Sequence, residues 1–199
     1  IYMNKYTKYI LPFVLLYCYN SIVEWVIHKY IMHNEYFPSG KTHLIHHKSI
    51  NTKTMQIDES ITDYEMILPN HNLLFGVDLF EGVILFIITV LIGPLIVFKL
   101  LSSSYKLDFY VLAFFQLFMY LFTFYIWNSI HTYMHGKDID DLCNKCGMSY
   151  KTTEYFVKNT SYFKWMLENH KKHHIIKGKK KGNFNIVLPG ADFIFNTYN

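Results

Sequence analysis

Apolar residues in this chain gather into three long runs, separated by polar stretches rich in lysine and histidine. The runs cover about residues 9–27, 82–98 and 109–127. Asn20, Ser21 and Glu24 interrupt the first; the second is uncharged but contains Gly93-Pro94; the third is uncharged and dominated by Phe, Leu and Tyr. Each approaches the ~20 residues that a helix needs to cross a ~30 Å hydrocarbon core. Two uncharged runs joined by a short Leu-Leu-Ser-Ser-Ser-Tyr linker predict a membrane hairpin rather than buried helices of a soluble protein. No small-residue cleavage site follows the first run, which argues against a signal peptide.

Between the runs, residues 48–70 and 136–152 read as polar connections. A helical pattern returns over residues 152–174, with Phe163, Trp165 and Met166 among the side chains available for packing. The expected fold class is all-α: an integral membrane helical bundle of three to four spans, carrying a cytosolic helical cap. Residues 1–199 read as a single membrane domain, with no internal repeat of fixed period.

Composition sharpens this picture. The chain is 51% hydrophobic and 19% aromatic, with only 17% charged residues. Its formal charge is +4, yet all 19 basic residues are lysine. Without arginine for bidentate contacts, nucleic acid is excluded as the expected partner, and lysines flanking apolar runs suit anionic headgroups. Lysine is sparse at the hairpin turn (Lys99, Lys106) and abundant after the first and third runs. By the positive-inside rule those two regions face the cytosol. Cys18, Cys143 and Cys146 make no disulfide framework, in keeping with a reducing side.

Ten of the eleven histidines form four clusters: His28 with His33; His43, His46 and His47; His131 with His135; and His170, His173 and His174. Imidazole is the commonest metal ligand near neutral pH. The clusters occupy residues 28–47 and 131–174, and an even number of crossings separates these two regions. All four therefore emerge on one side of the membrane. Residues three and four apart share a helix face, so three of the clusters can each present their rings together. His28 and His33 are five apart, which rotates them by about 140° on an ideal helix. A shared site requires the helix to end, kink or bulge near Lys29–Met32.

Ten imidazoles are too many for one ion and suit two, with four to six ligands each. The near absence of carboxylates disfavours Ca²⁺ and Mg²⁺ and favours Fe, Zn, Cu or Ni. Glu24, one turn before His28, is a candidate to orient that ring, with a carboxylate snorkelling to the interface as the alternative. Asn128, three residues before His131, is a candidate to fill an open coordination position through water. A lone Cys143/Cys146 pair lacks the second pair of a zinc knuckle. His71 reads as a loop histidine, and the Lys177–Lys181 run as solvated or facing headgroups.

The combined series His28-x4-His33, His43-x2-His46-His47, His131-x3-His135 and His170-x2-His173-His174 resembles the fatty acid hydroxylase superfamily. The tail Asn183-Phe-Asn-Ile-Val-Leu-Pro-Gly-Ala-Asp192-Phe-Ile-Phe-Asn-Thr197 resembles that family's closing motif. Ala191 stands where the family usually has Trp and Asn196 where it has Gly, and the interval from His135 to His170 is longer than usual. The resemblance implies two iron ions, with zinc as an alternative occupant. O₂ would hydroxylate or desaturate an unactivated C–H bond of a lipid: a fatty acyl, sphingolipid or sterol substrate. It also implies electrons from a cytochrome b5-type carrier on a separate protein or segment. The expected location is the endoplasmic reticulum membrane, or the plasma membrane in a prokaryote. Competing readings are a carotenoid hydroxylase, a non-catalytic membrane metal-binding or transport protein, and a zinc hydrolase. The hydrolase would want a His-Glu-x-x-His motif, which is absent.

Overall fold

The structure is a computed structural model that describes residues 7–58, 79–135, 150–175 and 181–199. Its regular elements among these residues are helices, apart from a single β-bridge that joins Ile50 to Ile57. In chain order the helices are α1 (Ile10–Val26), α2 (Pro38–Ser49), α3 (Leu79–Phe86), α4 (Gly93–Tyr105), α5 (Phe109–Met134), α6 (Tyr150–Asn159), α7 (Ser161–Ile175) and the short α8 (Ala191–Ile194). Two six-residue π-helical segments, Ile27–Met32 and Ile87–Ile92, extend α1 and join α3 to α4.

Three continuous helical stretches are long and apolar enough to cross a membrane: Thr7–Met32, Phe80–Tyr105 and Phe109–Trp127. Less than a third of an 18-residue apolar window in each is buried within the protein (28%, 28% and 29%). Ile10, Val14, Leu95, Leu100, Phe114 and Phe118 all point outward from them. An apolar surface of this extent would be a liability in water but is the expected face of a protein solvated by lipid.

Gly93-Pro94 does not stop the second span. Proline offers no N–H to Val90 and so frees a carbonyl in the turn before it. The turn before it widens into the π-helical segment, within which Tyr19 of α1 donates its hydroxyl to the Ile88 carbonyl at 2.8 Å. Gly93 lies against the same tyrosine ring, where a Cβ would fall 2.8 Å from a ring carbon. At the hairpin, Lys106 adopts left-handed backbone (φ 47°), and Asp108 Oδ1 caps α5 by accepting the Tyr110 N–H at 2.8 Å.

Leu16, Val97, Leu107 and Leu112 form one apolar cluster among the three spans. Beside it, Asn20 and Gln116 exchange amide hydrogen bonds of 2.9 and 2.6 Å between α1 and α5. Both are buried. Reciprocal pairing satisfies polar groups that lipid could not, and it sets the register of the two helices. A larger core, including Trp127, Met166, Ile186 and Leu188, joins the spans to α7 and the tail.

The helical pattern expected over residues 152–174 resolves into two helices. Thr160 divides them: its hydroxyl donates back to the Phe156 carbonyl and receives the Phe163 N–H as a cap for α7.

Candidate metal centre

The five-residue spacing of His28 and His33 needs an irregular helix, and the π-helical turn at Ile27–Met32 supplies it. Its i→i+5 pattern stacks residues that an α-helix would splay apart. The two rings lie with centroids 5.2 Å apart and planes 15° from parallel. A tight crossing then brings α2 against this turn. At Gly40 a Cβ would overlap the carbonyl of Asn34, so only glycine allows the approach that carries His43, His46 and His47 into the site. α5 delivers His131 and, just past its end, His135; α7 delivers His170, His173 and His174.

These elements sort the ten rings into two groups of five. One comprises His28, His33, His43, His47 and His173; the other His46, His131, His135, His170 and His174. Within each group one nitrogen per residue lies within 4.8 Å of all the others. Both groups mix early and late parts of the chain. Adjacent residues divide between them, His46 from His47 and His173 from His174, so the groups are neighbours. His47 and His174, in different groups, have ring centroids 4.3 Å apart.

The nitrogens meet in a way hydrogen bonding alone does not explain. In the first group the Nε2 atoms run in a chain: His33 to His173 (3.1 Å), His173 to His47 (3.0 Å), His47 to His43 (3.1 Å) and His43 to His28 (3.1 Å). In the second, His170 Nε2 faces both His135 Nε2 (2.9 Å) and His174 Nε2 (3.0 Å). An imidazole nitrogen has one in-plane direction, holding either a proton or a lone pair. A nitrogen between two others cannot bond well to both. An ion with bonds of about 2.1 Å and right-angled neighbours sets those neighbours about 3.0 Å apart, so five lone pairs converging on one centre fit these distances. Both ring nitrogens of His46, and Nε2 of His131, are buried without a hydrogen-bond partner among the described residues. The donor set fits a transition metal and disfavours a hard cation.

Electrostatics agrees with neutral rings. Burial first, and neighbouring imidazoles second, hold His43, His46, His131, His170 and His173 well below the ordinary imidazole range. Burial depresses His135 to about 4, and burial, with neighbouring imidazoles and Lys181 behind it, depresses His33 and His174 to about 2. A neutral imidazole keeps the lone pair that a metal needs.

Three backbone carbonyls fix which nitrogen carries that lone pair. His28 Nδ1 donates to the Phe184 carbonyl (2.7 Å), His135 Nδ1 to Met55 (2.9 Å) and His173 Nδ1 to Gly182 (2.9 Å). In each ring Nε2 is thereby left free to face the group. None of these carbonyls is legible in the sequence, because the backbone carbonyl is the same at every residue and only the loop's path aims it.

Glu24 serves His28 differently from the direct contact its spacing suggests. Its carboxylate accepts the N–H groups of Ile186 (2.9 Å), Val187 (2.7 Å) and Leu188 (2.8 Å) and the Asn185 amide (3.3 Å). It neither touches the ring nor snorkels; it pins the loop whose Phe184 carbonyl holds the ring. Asp192 pins the other side, accepting from the N–H groups of Phe184 (3.0 Å) and Asn185 (2.7 Å) and from the Thr197 hydroxyl (2.6 Å). Lys181 is a second departure: its Nζ lies 2.9 Å from His33 Nδ1, at the site rather than at headgroups. The side chain of Asn128, and His71, Cys143 and Cys146, lie outside the described residues.

A narrow apolar cavity reaches this centre from the spans, lined by Val23, Ile27, His28, Leu85, Tyr120 and Trp127 among others. Comparison of the chain with family models, with curated proteins and with solved structures yields no match.

Proposed function

We propose that this protein is a membrane-bound oxygenase that uses two iron ions and O₂ to hydroxylate or desaturate a lipid. The observation that carries the reading is the pair of adjacent five-imidazole groups, one of which borders an apolar cavity between spans through His28. The resemblance of the histidine series to the fatty acid hydroxylase superfamily supports it. When bound, a pair of irons there would supply activation of O₂ and oxidation of an unactivated C–H bond. For hydroxylation the balance is one lipid C–H, O₂, two electrons and two protons giving one C–OH and one water. The electrons would come from a separate cytochrome b5-type carrier docking on the cytosolic side, the side indicated by lysine distribution.

The chain's own residues would hold, orient and shield. The ten histidines supply ten neutral donors, and the carbonyls of Phe184, Met55 and Gly182 keep His28, His135 and His173 in the ligating tautomer. Val23, Ile27, Leu85 and Trp127 give the target carbon an apolar path and keep water from it.

The test is expression in a host of defined lipidome, comparing the intact chain with His173→Ala. The expected result is a lipid that gains one oxygen or one double bond only with the intact chain. An unchanged lipidome from protein shown to carry its metal would overturn the oxygenase reading and leave a metal-binding or transport protein.

A further inference from the structure

A second cavity adjoins the first, and its chemistry concerns what kind of lipid the site accepts; this inference rests on the lipid reading above. It has a free volume of about 340 Å³ and is lined by apolar side chains, including Ile31, Phe37, Ile84 and Ile88, with a single carboxylate, Glu81. Ile27 and Leu85 line both cavities, so one chain-like molecule can occupy the two in sequence. Glu81 is at the very start of the second apolar span, at the depth where a lipid's polar end meets its chain.

One oxygen of Glu81 has a structural task. Oε2 accepts the Ser39 N–H at 3.2 Å, capping the first turn of α2, where Phe37 offers no side-chain cap. The other oxygen does not. Oε1 is buried and, among the described residues, receives no hydrogen bond; the Ser39 hydroxyl, on a residue only 2% exposed, is also buried and unpartnered. A buried carboxylate oxygen in an apolar lining is costly to leave without a donor. It is a strong acceptor for an O–H or N–H and repels another anion.

We propose that this cavity binds the polar end of a lipid bearing a hydroxyl or amide donor, held by Glu81 Oε1 with Ser39 beside it. The chain then runs past Ile27 and Leu85 toward His28. A free fatty acid carboxylate or a phosphate placed here would bring a second acceptor against Glu81 Oε1 and no donor. The preferred substrate is therefore a long-chain alcohol or an N-acyl amide.

The test uses the full chain in phosphatidylcholine nanodiscs and displacement of a bound fluorescent long-chain alcohol. Competitors are the alcohol, primary amide and carboxylate of one saturated chain length. The intact protein should prefer alcohol and amide over carboxylate on the order of ten-fold, about the worth of one hydrogen bond to a charged group. Glu81→Leu should erase that preference. Glu81→Gln, which keeps an acceptor and drops the charge, should bind carboxylate more tightly than the intact protein does. Ile84→Trp, which fills the cavity without touching the cap, should weaken all three. Equal affinity for the three competitors, or a preference unchanged in Glu81→Leu and Ile84→Trp, overturns the proposal. Binding needs neither metal nor turnover, so a headgroup preference in protein that oxidises nothing would count against the oxygenase alone.

Discussion

At the scale of single residues, several side chains act on the centre only through backbone. Glu24 reaches the centre only by holding the N–H groups of Ile186, Val187 and Leu188, which aims the Phe184 carbonyl at His28. Glu24→Ala should destabilise the protein by on the order of 3 kcal/mol, since it strands buried N–H donors. Glu24→Gln, which turns an amide toward those donors, should weaken metal at the His28 group by about 10–100-fold and spare the other group. Titration of each variant with cobalt, read from its visible absorption, checks this; equal loss from both groups would refute it. The depressed histidines set the pH response. The folded rings refuse protons that the unfolded chain accepts below about pH 6.5, so the unfolded state binds more protons and stability falls with falling pH. The midpoint of thermal unfolding of metal-free protein should be level above pH 7 and drop from about 6.5 toward 4, where His135 also titrates. A midpoint that rises between pH 7 and 5 would contradict neutral rings.

At the scale of elements, some features are written in spacing and others are not. Rings five residues apart announce a non-α turn, and Ile27–Met32 is π-helical as that requires. The apolar runs announce three spans, although the first two helical stretches run past them on both sides and α5 continues past the third to Met134. The division at Thr160 is signalled only by the capping preference of its hydroxyl, which the apolar side chains continuing on both sides mask in the sequence. The tasks of Met55, Gly182 and Phe184, and the partners of Glu24, are not legible, since these depend on where two distant loops pass. Asn20 and Gln116 are readable as costly polar residues in apolar runs, but their pairing across α1 and α5 is a tertiary fact. Asn20→Leu or Gln116→Leu should each cost about 1 kcal/mol, and the double variant less than the sum, because neither partner is then left unpaired. Additive losses in a thermal or denaturant melt in detergent would show that the pair is not coupled.

At the scale of the whole molecule, the fold puts polar chemistry at one end of an apolar frame. The spans expose Leu95, Leu100, Phe114 and their neighbours to lipid, while α2, α7 and the tail close over the histidines. The cavity reaching His28 runs between spans rather than from the polar side, which suits a reactant arriving from the bilayer. The arrangement brings ten imidazoles from both halves of the chain into two adjacent groups, each able to hold a cation. The most direct measurement is the metal-to-protein ratio of the full chain purified from membranes, by elemental analysis, repeated for His33→Ala and His131→Ala. About two transition-metal ions per chain are expected, falling toward one in each single variant because each variant breaks a different group. A ratio near zero, or one that neither substitution changes, would contradict it.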